Sequence, residues 1–85
     1  MPTSAQVTVN STATVMVPAT AFDQTVNLHN SGGGVVYLGD ANVTISNGYK
    51  LDNGDKLTIM VGDHEALYGV TASGTNVVSV LKQIN

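Results

Sequence analysis

Residues 25–29, Thr25-Val26-Asn27-Leu28-His29, alternate apolar with polar side chains. Successive side chains of a strand point to opposite faces, so this spacing predicts a strand with one face buried and the other in water. Residues 56–61, KLTIMV, repeat the pattern with Leu57, Ile59 and Val61 on one face. No stretch has the apolar spacing of a helix over two turns, and β-branched residues dominate. The chain is therefore predicted to be all-β.

The same alternation extends toward the N-terminus. It runs through residues 6–9, and after Asn10-Ser11 it resumes with Ala13, Val15 and Val17. Pro18 then ends ladder pairing because it has no backbone N–H to donate. Residues 6–17 therefore form either one long strand broken by a bulge or two strands that belong to different sheets.

The middle of the chain is rich in glycine and asparagine. Residues 30–34, NSGGG, predict a flexible loop, and residues 35–39, VVYLG, are apolar on both faces, as in a central strand or one covered by a partner. Residues 43–45 predict a further short strand. Asn47-Gly48 and Asn53-Gly54 are turn pairs, the second of them in a hairpin, and both are expected to supply left-handed backbone.

Two more strands are predicted near the C-terminus, residues 66–71 and 76–82, joined by a turn at residues 73–75. The total is seven to eight short strands, about ten residues apart. This spacing predicts a compact antiparallel β-sandwich or jelly-roll-like small barrel. Residues 1–85 are too few for a second core, so a single β domain is expected.

Composition argues against several classes of function. Three lysines and no arginine face six acidic residues, which gives a net charge of -3 and no basic stripe for nucleic acid. No apolar run approaches the roughly 20 residues that span a bilayer, and residues 1–6 do not resemble a secretory signal. We expect synthesis in a cytoplasm. The chain has no cysteine, so neither thiol chemistry nor disulfides contribute.

Three clusters resemble chemical sites superficially. Asp63, His64 and Glu65 are adjacent, but neighbours in an extended segment point apart and rarely bind one metal ion. Residues 52–55 lack the remaining ligands of a calcium loop. The glycines at 32–34 precede a strand, whereas a phosphate cradle needs a helix N-terminus. We therefore predict no catalytic residue, no bound cofactor and no metal site.

Some apolar residues remain after one face of each strand has been buried. They either form a contact between subunits or close the second side of a sandwich, and the pattern does not choose between these. The residues predicted as an interface are Val7, Val9, Val15, Val17, Val35, Tyr37 and Tyr68.

A series of short motifs between residues 26 and 81 resembles a family of small bacteriophage capsid decoration (head-associated) proteins. The motifs are Val36-Tyr37-Leu38-Gly39, Asn42-Val43-Thr44, Asn47-Gly48-Tyr49, Leu51, Ala66-Leu67-Tyr68, Ser73-Gly74-Thr75 and Val78-Ser79-Val80. The resemblance implies a β-sandwich trimer on the outer lattice of a phage head. The segment before Val26 departs most from it, and residues 1–17 within that segment are expected to be an attachment arm or an exchanged strand.

The resulting hypothesis is a structural protein of the virion. It binds the major capsid protein on the outer surface of the capsid as a homotrimer. A ligand that binds only the mature lattice lowers the free energy of that lattice and so stabilises it. The alternative is an adhesive module of a phage tail fibre or a host-surface-binding protein. A small enzyme is the third and least favoured possibility.

Overall fold

The computed structural model describes residues 2–84, which contain eight strands and no helix. The all-β prediction is confirmed, with antiparallel pairing throughout. The strands are β1 (Pro2–Val9), β2 (Thr14–Val17), β3 (Gln24–Asn30), β4 (Val36–Gly39), β5 (Tyr49–Leu51), β6 (Lys56–Val61), β7 (Leu67–Val70) and β8 (Asn76–Ile84).

The strands form two four-stranded sheets that pack as a sandwich. Sheet A has the order β1-β8-β3-β6, and sheet B has the order β2-β7-β4-β5. The first four strands pair with the last four in reverse order, β1 with β8, β2 with β7, β3 with β6 and β4 with β5. This is the rolled arrangement of a jelly roll, so the predicted sandwich is confirmed.

The core lies between the two sheets. In sheet A the inner face carries Val26 and Leu28, as their alternation predicts, and both are at most 2% exposed. Sheet B contributes Val36 and Leu38 from the opposite side. The remaining buried members of the core cluster are Val9, Met16, Val17, Leu51, Val61, Leu67, Val78 and Val80.

The two possibilities for residues 6–17 are resolved by the sheet assignment. β1 lies at the edge of sheet A, whereas β2 lies at the edge of sheet B, so they are two strands in different sheets. The chain crosses between sheets at residues 10–13, where the Asn10 carbonyl accepts a hydrogen bond from the Thr71 N–H at 3.0 Å. β1 pairs with β8 of the same chain over its whole length.

The predicted strand at residues 43–45 is wrong. Val43 and Thr44 belong to no strand, and Ile45 begins a turn. The Gly48 N–H donates to the Thr44 carbonyl at 2.9 Å, and the Thr44 N–H donates to Asn47 Oδ1 at 2.8 Å. Local hydrogen bonds thus replace the ladder of a strand. The strand that completes sheet B begins later, at Tyr49.

The two Asn-Gly turns differ from the prediction in different ways. Gly54 has a φ of 89°, as predicted, but its turn joins β5 of sheet B to β6 of sheet A and so does not make a hairpin. Gly48 is not among the described residues with positive φ, so the left-handed prediction for it is wrong.

Residue 30 is not part of a loop, contrary to prediction, but ends β3 with its side chain fully buried. Asn30 Nδ2 donates to the carbonyls of Gly34 at 2.8 Å and Leu51 at 2.9 Å. Asn30 Oδ1 accepts a hydrogen bond from Asn76 Nδ2 at 2.6 Å. Asn76 Oδ1 in turn accepts from the Gly34 N–H at 3.1 Å. These two amides hold the 31–34 loop against both sheets.

We expect Gly32→Ala to destabilise the fold by roughly 1–3 kcal/mol, the usual cost of forcing extra volume into a packed site. A Cβ on Gly32 would lie 2.7 Å from the backbone nitrogen of Val77, which cannot rotate away. Gly34→Ala is the matched control, since its nearest atom would be Asn76 Oδ1 at 3.4 Å. Urea denaturation measures both, and equal stabilities would contradict the proposed clash.

Candidate interaction surfaces

Three of the predicted interface residues lie together on the outer face of sheet B. Val15 of β2 is the cross-strand partner of Tyr68 in β7, and Tyr68 is the partner of Gly39 in β4. Tyr37 lies two residues before Gly39 and so points to the same face. Val15 is 44% exposed, and both tyrosines are half-buried. We call Val15, Tyr37 and Tyr68 the tyrosine patch.

The other four predicted interface residues lie elsewhere. Val9 and Val17 have no exposed surface and belong to the core, and Val7 packs against the core from the inner face of β1. Val35 is half-buried and precedes β4 without joining it. The sequence left open whether these apolar residues close the sandwich or form a contact between subunits, because alternation groups residues on one face without showing what covers that face.

A groove opens between the two sheets beside β6, the edge strand of sheet A. It has a volume of about 380 Å³. Its walls are mainly apolar, and Ile59 and Tyr49 remain 36% and 62% exposed within it. We call it the edge groove, and it is lined by Leu38, Gly39, Tyr49, Leu57, Thr58, Ile59 and Leu67.

The edge groove was not predicted from the sequence. The alternation of residues 56–61 correctly assigns Leu57 and Ile59 to the inner face, but it does not show that β6 lacks a neighbour on one side. An inward-facing residue is ordinarily buried, so exposure of Ile59 arises only from its place at the edge. No local pattern in the sequence could have indicated it.

The outer face of sheet A is shallowly concave, with a volume of about 590 Å³ and a mainly apolar exposed lining. Gln6 Nε2 donates to Ser79 Oγ at 3.2 Å, and Thr58 Oγ1 donates to Asn27 Oδ1 at 2.7 Å. Leu81 lies between these two pairs and is 46% exposed. No acidic residue lines this face.

The Asp63, His64 and Glu65 side chains serve the turn between β6 and β7. His64 Nδ1 lies 3.1 Å from Asp63 Oδ2, while Glu65 Oε1 accepts from the Gly62 N–H at 3.1 Å. His64 itself has a φ of 63°, a conformation in which histidine is enriched among non-glycine residues. Glu65 thus acts as a local backbone acceptor, and Asp63 pairs with its neighbour.

Residues 52–55 likewise form a compact turn. The Asp52 N–H donates to Asp55 Oδ2 at 2.9 Å, and the Asp55 N–H donates to the Asp52 carbonyl at 3.0 Å. Within residues 2–84, no three His, Asp or Glu side chains lie close enough together to hold a metal ion. No helix in that range could cross a membrane.

Comparison with known proteins gives a likeness of fold. No family model matches the sequence, and no curated protein matches it. One similar solved structure is described as "Bacillus endospore appendages form a novel family of disulfide-linked pili". It superposes with a TM-score of 0.60 at 9% sequence identity, over 99% of this chain and 85% of that chain. At this identity the likeness concerns the fold alone, and the present chain has no cysteine.

Proposed function

We propose that this chain is a structural subunit that binds the outside of an assembled protein lattice. The sequence resemblance supports the major capsid protein of a phage head as that lattice, with the subunit on the outer surface of the virion. Binding would stabilise the lattice by mass action, because a subunit that binds only the assembled shell lowers the free energy of that shell. No covalent chemistry is needed.

The tyrosine patch is the observation that carries this proposal. Tyrosine is enriched at protein interfaces because its ring buries a large apolar area while its hydroxyl keeps a hydrogen-bonding partner. Here Val15 and Tyr68 are cross-strand partners and Tyr37 lies diagonally opposite Tyr68, so strands of one sheet hold all three on the same face. Such an arrangement loses little side-chain entropy on binding.

The surroundings of the patch favour a protein partner. Lys50 pairs with Tyr37 across β4 and β5, and its Nζ lies 3.5 Å from Asp52 Oδ1, so its charge is partly balanced at the rim. An apolar centre with a polar rim is the usual anatomy of a protein interface. Only 11% of the residues are charged, so little electrostatic repulsion opposes close contact.

Tyr68→Ala is expected to weaken binding to expanded shells by about 2 kcal/mol, roughly 30-fold, the loss typical of a central aromatic contact. Cosedimentation of purified protein with shells of the matching phage measures the affinity. Phe22→Ala is the control, because Phe22 is an aromatic residue 58% exposed outside the patch. Equal affinity of the two variants would remove the patch from the interface.

Binding of the isolated protein to host cells, without binding to shells, would instead favour the adhesive alternative. Light scattering tests the predicted trimer directly. A stable monomer that binds neither shells nor cells would contradict the structural proposal.

A further inference from the structure

We propose that copies of this chain associate head to tail, with the free edge of β1 in one copy pairing with the free edge of β6 in the next. This inference rests on the proposed structural function and specifies how the subunits contact one another. β1 and β6 are the outermost strands of sheet A, with eight and six residues. An uncovered strand edge presents unpaired N–H and C=O groups that can template another strand.

The strand directions permit this pairing without turning either copy over. β1 is antiparallel to β8, β8 to β3 and β3 to β6, so β1 and β6 run in opposite directions. A second copy placed alongside in the same orientation therefore brings its β1 antiparallel to β6 of the first. The alternation of strand directions and the inner face of the sheet both continue across the junction.

The side chains of the two edges are compatible. The inner face of β1 carries Ala5 and Val7, which would lie beside Leu57 and Ile59 on the inner face of β6. The outward-facing side chains of both strands are polar, apart from Pro2 of β1 and Met60 of β6, which is 62% exposed. Natural edge strands are usually protected by charge, yet Lys56 is the one charged side chain in residues 2–9 and 56–61 together.

The inner face of sheet A is partly exposed beside both edge strands, and each strand could cover the exposed part beside the other. β2 has four residues and β1 has eight, and the first half of β1 is exposed on its inner face, at Thr3 and Ala5. Ile84, on the same face of β8, is 47% exposed. The edge groove beside β6 is also uncovered, since Ile59 and Tyr49 are exposed there.

This complementarity favours a head-to-tail contact over a two-fold one. Pairing β1 with β1 of a second copy would bring together two uncovered inner faces and leave both edge grooves open. A β1-to-β6 contact instead covers the mouth of the groove with β1 of the next copy, whose Ala5 and Val7 side chains lie on the inner face. Such a heterologous contact generates a ring when it closes and a filament when it does not. Every copy then presents its tyrosine patch on the same side of the array.

Disulfide trapping tests the geometry, because the chain contains no cysteine of its own. Ser4→Cys and Gln6→Cys each place one thiol on the outer face of β1, and Thr58→Cys places one on the outer face of β6. Under mild oxidation, we expect a crosslinked dimer when Thr58→Cys is mixed with at least one of the β1 variants. Absence of that dimer from both mixtures, or dimers from a β1 variant alone, would overturn the proposal.

Blocking the edge provides the second test. Ile59→Lys places an inward-pointing charge on β6, and we expect the dissociation constant for self-association to rise at least tenfold in sedimentation velocity. Ile45→Lys is the matched control, because Ile45 is 50% exposed in the turn outside both sheets and should leave association unchanged. Circular dichroism confirms that each variant is folded. An unchanged dissociation constant for folded Ile59→Lys would contradict the β1-to-β6 contact.

The same variants separate this inference from the proposed function. If wild-type protein self-associates and the cysteine variants crosslink as expected, but wild-type protein binds no shell, the head-to-tail contact stands and the capsid proposal fails. If the protein binds shells while every β1-to-β6 crosslink is absent, the capsid proposal stands and the head-to-tail contact fails.

Discussion

Asn30→Ala is expected to lower the free energy of unfolding by roughly 3–4 kcal/mol, because the substitution orphans several buried polar groups at once. The carbonyls of Gly34 and Leu51 and the Nδ2 group of Asn76 each lose the partner that Asn30 now provides. Water cannot replace that partner easily, since Asn30 has no exposed surface. Native proteins have total stabilities of roughly 5–15 kcal/mol, so this loss is a large fraction of the free energy that holds the domain folded.

Asn27→Ala is the matched control for this prediction. Asn27 lies on the same strand but faces outward, and its Oδ1 accepts one hydrogen bond from Thr58 Oγ1 at 2.7 Å. An exposed hydrogen bond contributes about 1 kcal/mol or less, because water competes for both groups. Urea denaturation of the two variants gives the comparison. A loss below 1 kcal/mol for Asn30→Ala would show that the amide network is not a principal support of the fold.

Leu28→Ala has the second largest expected effect, a loss of about 3 kcal/mol within the usual range for a truncated core leucine. Leu28 is 2% exposed and lies on the inner face of β3, between Val80 of β8 and Leu57 of β6. Removing its side chain forfeits burial and leaves a cavity that the surrounding strands cannot close, since their ladders fix the backbone on both sides.

Leu81→Ala tests the same chemistry on the opposite face of the sheet. Leu81 pairs with Asn27 and is 46% exposed, so we expect its truncation to change stability by about 0.5 kcal/mol or less. Thermal unfolding followed by circular dichroism measures both leucine variants. Similar losses for Leu28→Ala and Leu81→Ala would mean that sheet A is covered on both faces, contrary to the sandwich described above.

Residues 43–45 and Asn30 show where local patterns mislead. Val43-Thr44-Ile45 has the composition of a strand, yet the side chains of Thr44 and Asn47 bond to nearby backbone and favour a turn. Asn30 begins a polar, glycine-rich stretch, but its burial depends on Asn76, which lies 46 residues further along the chain. A window of neighbouring residues contains no information about such a partner.

The sequence by itself determined the all-β class, most of the strands, and which side chains of β3 and β6 point inward. It could do so because the period of two is a property of each strand alone. It also placed the Asn53-Gly54 turn, because left-handed backbone depends on the residues at the turn itself.

Only the tertiary structure decided which sheet each strand joins and which strands lie at an edge. β1 pairs with β8 from the other end of the chain, and β1 and β2 separate into different sheets although they are neighbours in sequence. These choices depend on packing both sheets around one core, which is a property of the whole chain. The exposure of Ile59 and the assembly of the tyrosine patch follow from that packing and from no shorter segment.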